Sequence, residues 1–159
     1  MHSKDMLNKV KKWLGIEGVK LDLVLPDEVD RRKGTLNGKI RLSSMQAQRV
    51  TGIRVVMVER YARGRKTDKH IDDYEMGTLQ INETYEVPAE GQVELKFSLP
   101  FSLVESEMDS LQRSNFLTGG LIRVLKYAEG VQSTYRVEAE ALVEGVALNP
   151  FDKKEVTLV

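Results

Sequence analysis

The sequence predicts an all-β protein, a sandwich of two antiparallel sheets with one short amphipathic helix at its N-terminus. After residue 15, apolar and polar residues alternate at a period of two over most of the chain, which is typical of strands with one buried face. About seven to nine such segments are separated by gaps rich in turn residues, as in a β-sandwich. We therefore expect an N-terminal helix over residues 1–14 and a sandwich domain over residues 15–159.

The first fourteen residues are predicted to form the helix, because their apolar residues recur at three- and four-residue spacing. Ser3 can cap its start and Gly15 can end it. A helix this short is marginal in water, so it must pack on the sandwich, on a second copy or on an anionic membrane surface. Lysines surround its apolar stripe, which consists of Met6, Leu7, Val10, Trp13 and Leu14. Lys9, Lys12 and Trp13 are the candidate contacts with a partner or membrane.

The strands follow in order along the chain. One-faced alternation covers residues 21–25, 36–42, 93–99 and 135–143, and a last short strand carries Val156 and Leu158. Residues 50–60 are apolar on both faces, which indicates a central strand, and residues 121–125 form a second two-faced run. Gly130 is a plausible hairpin turn before the strand at 135–143. Residues 102–116 have room for one or two helical turns.

Composition narrows the function classes. The chain has no cysteine, which excludes disulfides, thiolate metal sites and cysteine nucleophiles. Lys plus Arg equals Asp plus Glu at 24 each, so there is no overall basic field to attract nucleic acid. No apolar run approaches the ~20 residues of a membrane span, and the charged N-terminus lacks the apolar core of a secretory signal. We expect a cytoplasmic protein that does not bind nucleic acid.

Four segments, in their order and spacing, resemble a known family. Residues 33–42 (KGTLNGKIRL) are similar to the Gly-x-Val-x-Gly-x-Val-x-Leu segment of arrestin-like N-domains. Residues 85–91 and 95–100 match an extended strand, a Pro turn and a Phe-x-Leu-Pro strand end, and residues 149–152 match a closing Pro–Asp corner. With the basic N-terminal helix, they resemble the sporulation-control protein M family of the arrestin clan.

The resemblance implies an arrestin-like β-sandwich and a non-catalytic role in controlling a stress or developmental programme. Family members usually carry two such sandwiches, and this chain ends where the second would begin. The insert at residues 101–118 is also longer than the usual short turn. We therefore expect either a single-domain relative or one domain of a longer protein.

One group of side chains has the chemistry of a metal site: Asp68, His70 and Asp72, with Asp73 beside them. Two carboxylates and an imidazole suit Zn²⁺ or Mn²⁺, and positions 68, 70 and 72 share one face of a strand. The alternative is a solvated polar strand or hairpin tip, because same-face residues lie nearly 7 Å apart. We expect this alternative, with no metal and no cofactor.

A basic cluster precedes that group, with Arg63, Arg65 and Lys66 as candidate contacts with an acidic partner or phosphate. Arg60 and Lys69 belong to the same cluster. The neighbouring aspartates cancel most of its field, so a charged, solvated hairpin tip is the alternative interpretation.

No nucleophile elbow, phosphate loop or dinucleotide fingerprint is present in the sequence, and we expect the protein not to be an enzyme. We predict a scaffold or regulatory adaptor that binds a protein through strand edges or a sheet surface. A second copy of the chain is also a candidate partner. The alternatives are a peripheral membrane protein anchored by the basic helix and a metal-dependent hydrolase centred on His70.

Overall fold

The computed structural model of the chain describes residues 18–64, 70–103 and 132–159. Within these ranges the chain forms nine strands and no helix. The strands are β1 (Lys20–Val24), β2 (Glu28–Val29), β3 (Thr35–Ser44), β4 (Gln48–Arg63), β5 (His70–Ile81), β6 (Tyr85–Val87), β7 (Gly91–Pro100), β8 (Gln132–Val143) and β9 (Phe151–Leu158). The predicted helix over 1–14, the run at 121–125, the turn at Gly130 and most of 102–116 lie outside the described residues.

The described strands form two sheets. The smaller sheet has the order β1-β3-β7, and the larger has the order β2-β9-β8-β4-β5, with β6 pairing the start of β4. All of these pairs are antiparallel except β2 with β9. The predicted all-β sandwich is therefore confirmed.

The core lies between the two sheets, where the alternating apolar residues of each strand meet. Leu36, Ile40 and Leu42 of β3 are almost completely buried in the smaller sheet. The larger sheet supplies buried residues from β4 and β8, among them Ile53, Val55, Met57, Val137, Ala139 and Ala141. Full burial of an aliphatic side chain is worth roughly 1.5–3 kcal/mol, so this layer holds the sheets together.

Strand β4 is an interior strand of the larger sheet, as its two-faced apolar pattern predicts. It pairs with β8 on one side and with β5 and β6 on the other. Its outward-facing Val58 is buried as well, because the long side chains of Glu75 on β5 and Arg136 on β8 flank it on that face.

Hydrogen bonds join the sheets at both edges. The Leu23 amide of β1 donates to Asp152 Oδ2 of β9 over 2.9 Å. At the opposite edge, the Ser102 amide, just beyond β7, donates to the Met76 carbonyl of β5 over 3.0 Å. These contacts fix how the larger sheet, which carries the candidate sites, sits on the smaller one.

Strands β5 and β9 differ most from the sequence prediction. Strand β9 begins at Phe151 rather than near Val156. Strand β5 is not among the predicted strands, because its half-buried and exposed residues alternate over 77–81 out of phase with residues 70–75. Its register against β4 shifts by one residue, and Met76 is the extra residue of that bulge. A bulge moves the following side chains to the other face, which hides the strand from a period-two pattern.

Candidate functional site

The open end of the β4–β5 pair carries several of the residues predicted for contact or metal binding. Arg63 of β4 pairs with His70 of β5, and Tyr61 pairs with Asp72. Arg63, His70 and Asp72 are exposed, so the fold places them at one solvated strand end. The remaining candidates of this stretch, Arg65, Lys66 and Asp68, lie outside the described residues.

The two described metal candidates are on one face of β5. His70 and Asp72 are two residues apart, which separates their Cα atoms by roughly 7 Å. Asp73 faces the other way and accepts a hydrogen bond from Arg136 Nη2 over 3.1 Å. Within the described part of the chain, no three His, Asp or Glu side chains are grouped to hold a metal ion. Because Asp68 is outside that part, the absence of a metal site stays a prediction.

The inner face of the larger sheet turns polar near the same end, which the sequence analysis did not foresee. Glu59 is completely buried although it follows Ile53, Val55 and Met57 on the inward side of β4. It accepts a hydrogen bond from Ser133 Oγ over 3.1 Å. Its cross-strand neighbours are Tyr135 and Tyr74. The signal in the sequence is a single glutamate at a period-two core position.

Tyrosines line this polar region. The rings of Tyr61 and Tyr74 lie 6.4 Å apart in a tilted arrangement, within the range of favourable aromatic pairs. Buried polar groups need hydrogen-bond partners, so Glu59 and Ser133 specify which residues of β4 and β8 stand opposite each other. The arrangement specifies strand register, and we assign it no catalytic role.

The outer face of the larger sheet is covered with cross-strand ion pairs. Arg136 of β8 contacts Asp73 over 3.1 Å and Glu138 over 3.3 Å. The pKa of the Arg136 guanidinium is raised above its usual value, chiefly by the hydrogen bond that it donates to Asp73. Arg54 of β4 lies 3.3 Å from Glu75. Exposed pairs of this kind contribute roughly 0–1 kcal/mol each, so they keep the surface hydrated more than they stabilise the fold.

One corner of this charged face is apolar. Leu142 of β8, Leu148 in the β8–β9 connection and Phe151 of β9 are 47%, 66% and 68% exposed. Phe151 pairs with Glu140, so Phe151 and Leu142 are diagonal neighbours on the outer face, with Cα atoms roughly 7–8 Å apart. We call these three residues the apolar corner.

The apolar corner is rigidly supported. The Ala141 amide donates to the Pro150 carbonyl over 3.0 Å, and the Val143 amide donates to Asn149 Oδ1 over 3.3 Å. A cavity of about 280 Å³ adjoins Phe151, and its lining includes Arg54, Val56, Glu138 and Glu140. An apolar patch with a charged border is the usual composition of a protein-binding surface.

The candidate contacts Lys9, Lys12 and Trp13 belong to residues that the structure does not describe. Over the described ranges, the chain has no helix that is long and apolar enough to cross a membrane.

The two-sheet architecture is arrestin-like. It matches the crystal structure of the sporulation control protein Spo0M from Bacillus subtilis, with a TM-score of 0.60 and 13% sequence identity. The match covers 88% of this chain and 49% of that protein, so the chain spans about half the length of this relative. At this identity, the likeness concerns the fold.

The family follows from the sequence itself. The SpoOM protein family model matches residues 7–105, which is more than half of the chain. The chain therefore belongs to the SpoOM family, and the resemblance in its motifs is confirmed. A comparison with curated proteins finds no match.

Proposed function

We propose that this protein is a non-catalytic regulatory adaptor that binds a partner protein through the apolar corner of Leu142, Leu148 and Phe151. The observation that carries the proposal is the exposure of these three side chains, from 47% to 68%, on or beside a face that carries mostly charged residues. Leu142 and Phe151 lie on that face, and Leu148 lies in the connection that joins their strands. Full burial of a large apolar side chain is worth roughly 1.5–3 kcal/mol, so covering the exposed half to two-thirds of each is worth roughly 1–2 kcal/mol. A partner that covers them recovers this free energy.

The border of the corner supports a protein partner. Glu140 and Glu144 are exposed beside it, and Arg49 and Arg54 lie on β4. Charged rims of mixed sign favour one partner orientation over others. The charges are already held in cross-strand pairs, such as Arg49 Nε with Glu86 Oε1 at 2.6 Å, so the surface is preorganised.

Two further observations support a regulatory role without catalysis. His70 and Asp72 are exposed at a strand end, whereas catalytic side chains normally converge in a concave pocket. The relative from Bacillus subtilis is described as a sporulation control protein, and we extend a comparable role in a stress or developmental programme to this chain. Cytoplasmic location is part of the proposal and is supported by the absence of cysteine.

The test compares three substitutions on the outer face. Leu142→Glu and Phe151→Glu each place a charge in the corner, and Ile71→Glu is the matched control near the start of β5, where exposure is 46% against 47% for Leu142. Proteins captured by the wild-type chain from cells that encode it should be identified, purified and titrated against each variant.

We expect Leu142→Glu and Phe151→Glu to weaken binding at least tenfold and Ile71→Glu to leave it unchanged. Far-UV circular dichroism should show that all variants remain folded. If a purified partner binds Leu142→Glu and Phe151→Glu as tightly as the wild type, the apolar corner is not the docking surface.

A further inference from the structure

A groove opens at one end of the smaller sheet, where three strand ends meet. Strand β1 begins here, β3 ends here and β7 begins here. The cavity measures about 650 Å³, within the ~300–1,000 Å³ range of sites that enclose organic groups. Its lining consists of Gly18, Lys20, Ser43, Ser44, Met45, Glu90, Gly91 and Gln92. We call it the end groove.

The end groove carries one exposed apolar side chain. Met45, in the β3–β4 connection, is 66% exposed, and apolar atoms form most of the lining. Methionine is flexible and polarizable, so it adapts to whatever side chains pack against it. The groove therefore offers an apolar contact inside a polar and charged border, which suits an amphipathic occupant.

The geometry points to residues 4–14 of the same chain as the occupant, and we propose that they dock in the end groove through Trp13 and Leu14. Gly18 is itself part of the groove wall. Leu14 is four residues earlier, so its Cα lies at most about 14 Å away. A tether this short gives an effective concentration in the millimolar range, which favours this segment over a separate molecule.

Charge complementarity supports the same occupant. Glu90 is exposed at the rim, in a turn that the Gly91 amide closes by donating to the Pro88 carbonyl over 3.0 Å. The backbone of Glu90 has a φ of 54°, so the turn fixes the position of the Glu90 Cβ atom. Lys9 and Lys12 of the docking segment carry the opposite charge. Lys20 on the groove wall would repel the lysines of the segment, so it disfavours an orientation that turns them toward the wall.

The proposal goes beyond the proposed function, because it concerns how the chain covers its own groove. Failure of either proposal leaves the other intact, since the end groove and the apolar corner share no residue. A docked segment would not be available to bind a membrane surface or a second copy of the chain.

The absence of cysteine permits a direct crosslinking test. The variant Leu14→Cys with Met45→Cys should form a disulfide within the monomer. Because the tether alone brings Leu14 near the groove, the matched control is the same pair with Trp13→Ala, which keeps the tether and removes a docking side chain, and its disulfide should form at least tenfold more slowly. Equal rates with and without Trp13 would overturn the proposal, and so would a disulfide that forms only between two copies.

Trp13 fluorescence gives a second measurement, because this is the sole tryptophan. In the wild type we expect blue-shifted emission that vesicles rich in anionic lipid leave unchanged. Met45→Glu should at least double the acrylamide quenching constant, whereas Ile71→Glu should not alter it. Solvent-exposed emission in the wild-type protein, or a large salt-sensitive shift on anionic vesicles, would refute docking and favour a free or membrane-bound segment.

Discussion

Replacing Gly77 with alanine should destabilise the fold strongly, because Gly77 sits where β5 meets the end of β7. An added Cβ would overlap the carbonyl oxygen of Pro100 and lie 3.0 Å from the Cα of Phe101. Both obstacles are backbone atoms, which cannot rotate away as a side chain can. Relief therefore requires the two strands to separate, and this strains the hydrogen bond from the Ser102 amide to the Met76 carbonyl.

The magnitude follows from these two effects. Overpacking costs roughly 1–3 kcal/mol, and loss of one hydrogen bond costs roughly 0.5–1.5 kcal/mol. We therefore expect Gly77→Ala to lower the free energy of unfolding by about 2–4 kcal/mol. For a chain of this size, that corresponds to a fall in Tm of roughly 4–16 °C.

Urea titration followed by far-UV circular dichroism measures the change, since the midpoint and slope together give the free energy of unfolding. Gly52→Ala is the matched control within the same sheet. Its Cβ would lie 3.4 Å from the nearest heavy atom, the Ile81 carbonyl oxygen, so its effect should stay within about 1 kcal/mol. If Gly77→Ala unfolds at the wild-type midpoint, the junction between β5 and β7 is not as close as described.

Three further substitutions test the sheet contacts and the core. Asp152→Ala removes the acceptor for the Leu23 amide and should lower the free energy of unfolding by roughly 1.5–3 kcal/mol in urea titrations; an unchanged value would contradict this bridge between the sheets. Arg41→Gln should raise the pKa of Glu94 in an NMR titration, because the hydrogen bond from Arg41 is the main cause of its lowered value. Since the folded pKa is lowered, the stabilisation is present above the unfolded pKa and is lost as pH falls through the folded pKa. The variant should show less of this loss, because Lys39 also lowers the pKa of Glu94, and an unshifted Glu94 titration would refute the assignment. Ile40→Ala should cost roughly 2–5 kcal/mol by calorimetry, because Ile40 is completely buried; a cost below ~1 kcal/mol would mean that the core collapses around the vacancy.

The candidate sites were only partly accessible from the sequence. Residue types identified Arg63, His70 and Asp72 as chemically interesting, and the structure places them at one strand end. The apolar corner was not foreseen, although its Pro–Asp turn was noted. Phe151 is exposed because it pairs with Glu140 on the outer face of the larger sheet, and that pairing depends on a partner strand.

The sequence by itself determined the fold class and most of the strands. In β3 and β8, every second residue is apolar over long stretches, so burial of that one face of the strand is favourable. The two-faced pattern of residues 50–60 likewise predicted a central strand, and β4 occupies that place. These conclusions required only local periodicity, because burial of one strand face is encoded within that strand.

Only the tertiary structure decided how the faces are filled and where the pattern breaks. Glu59 occupies a core position because Ser133, 74 residues away along the chain, donates to its carboxylate. The bulge at Met76 depends on the register of β5 against β4, and the demand for glycine at position 77 depends on the end of β7. Each feature results from a contact between segments that are distant in the chain, so no local pattern reports it.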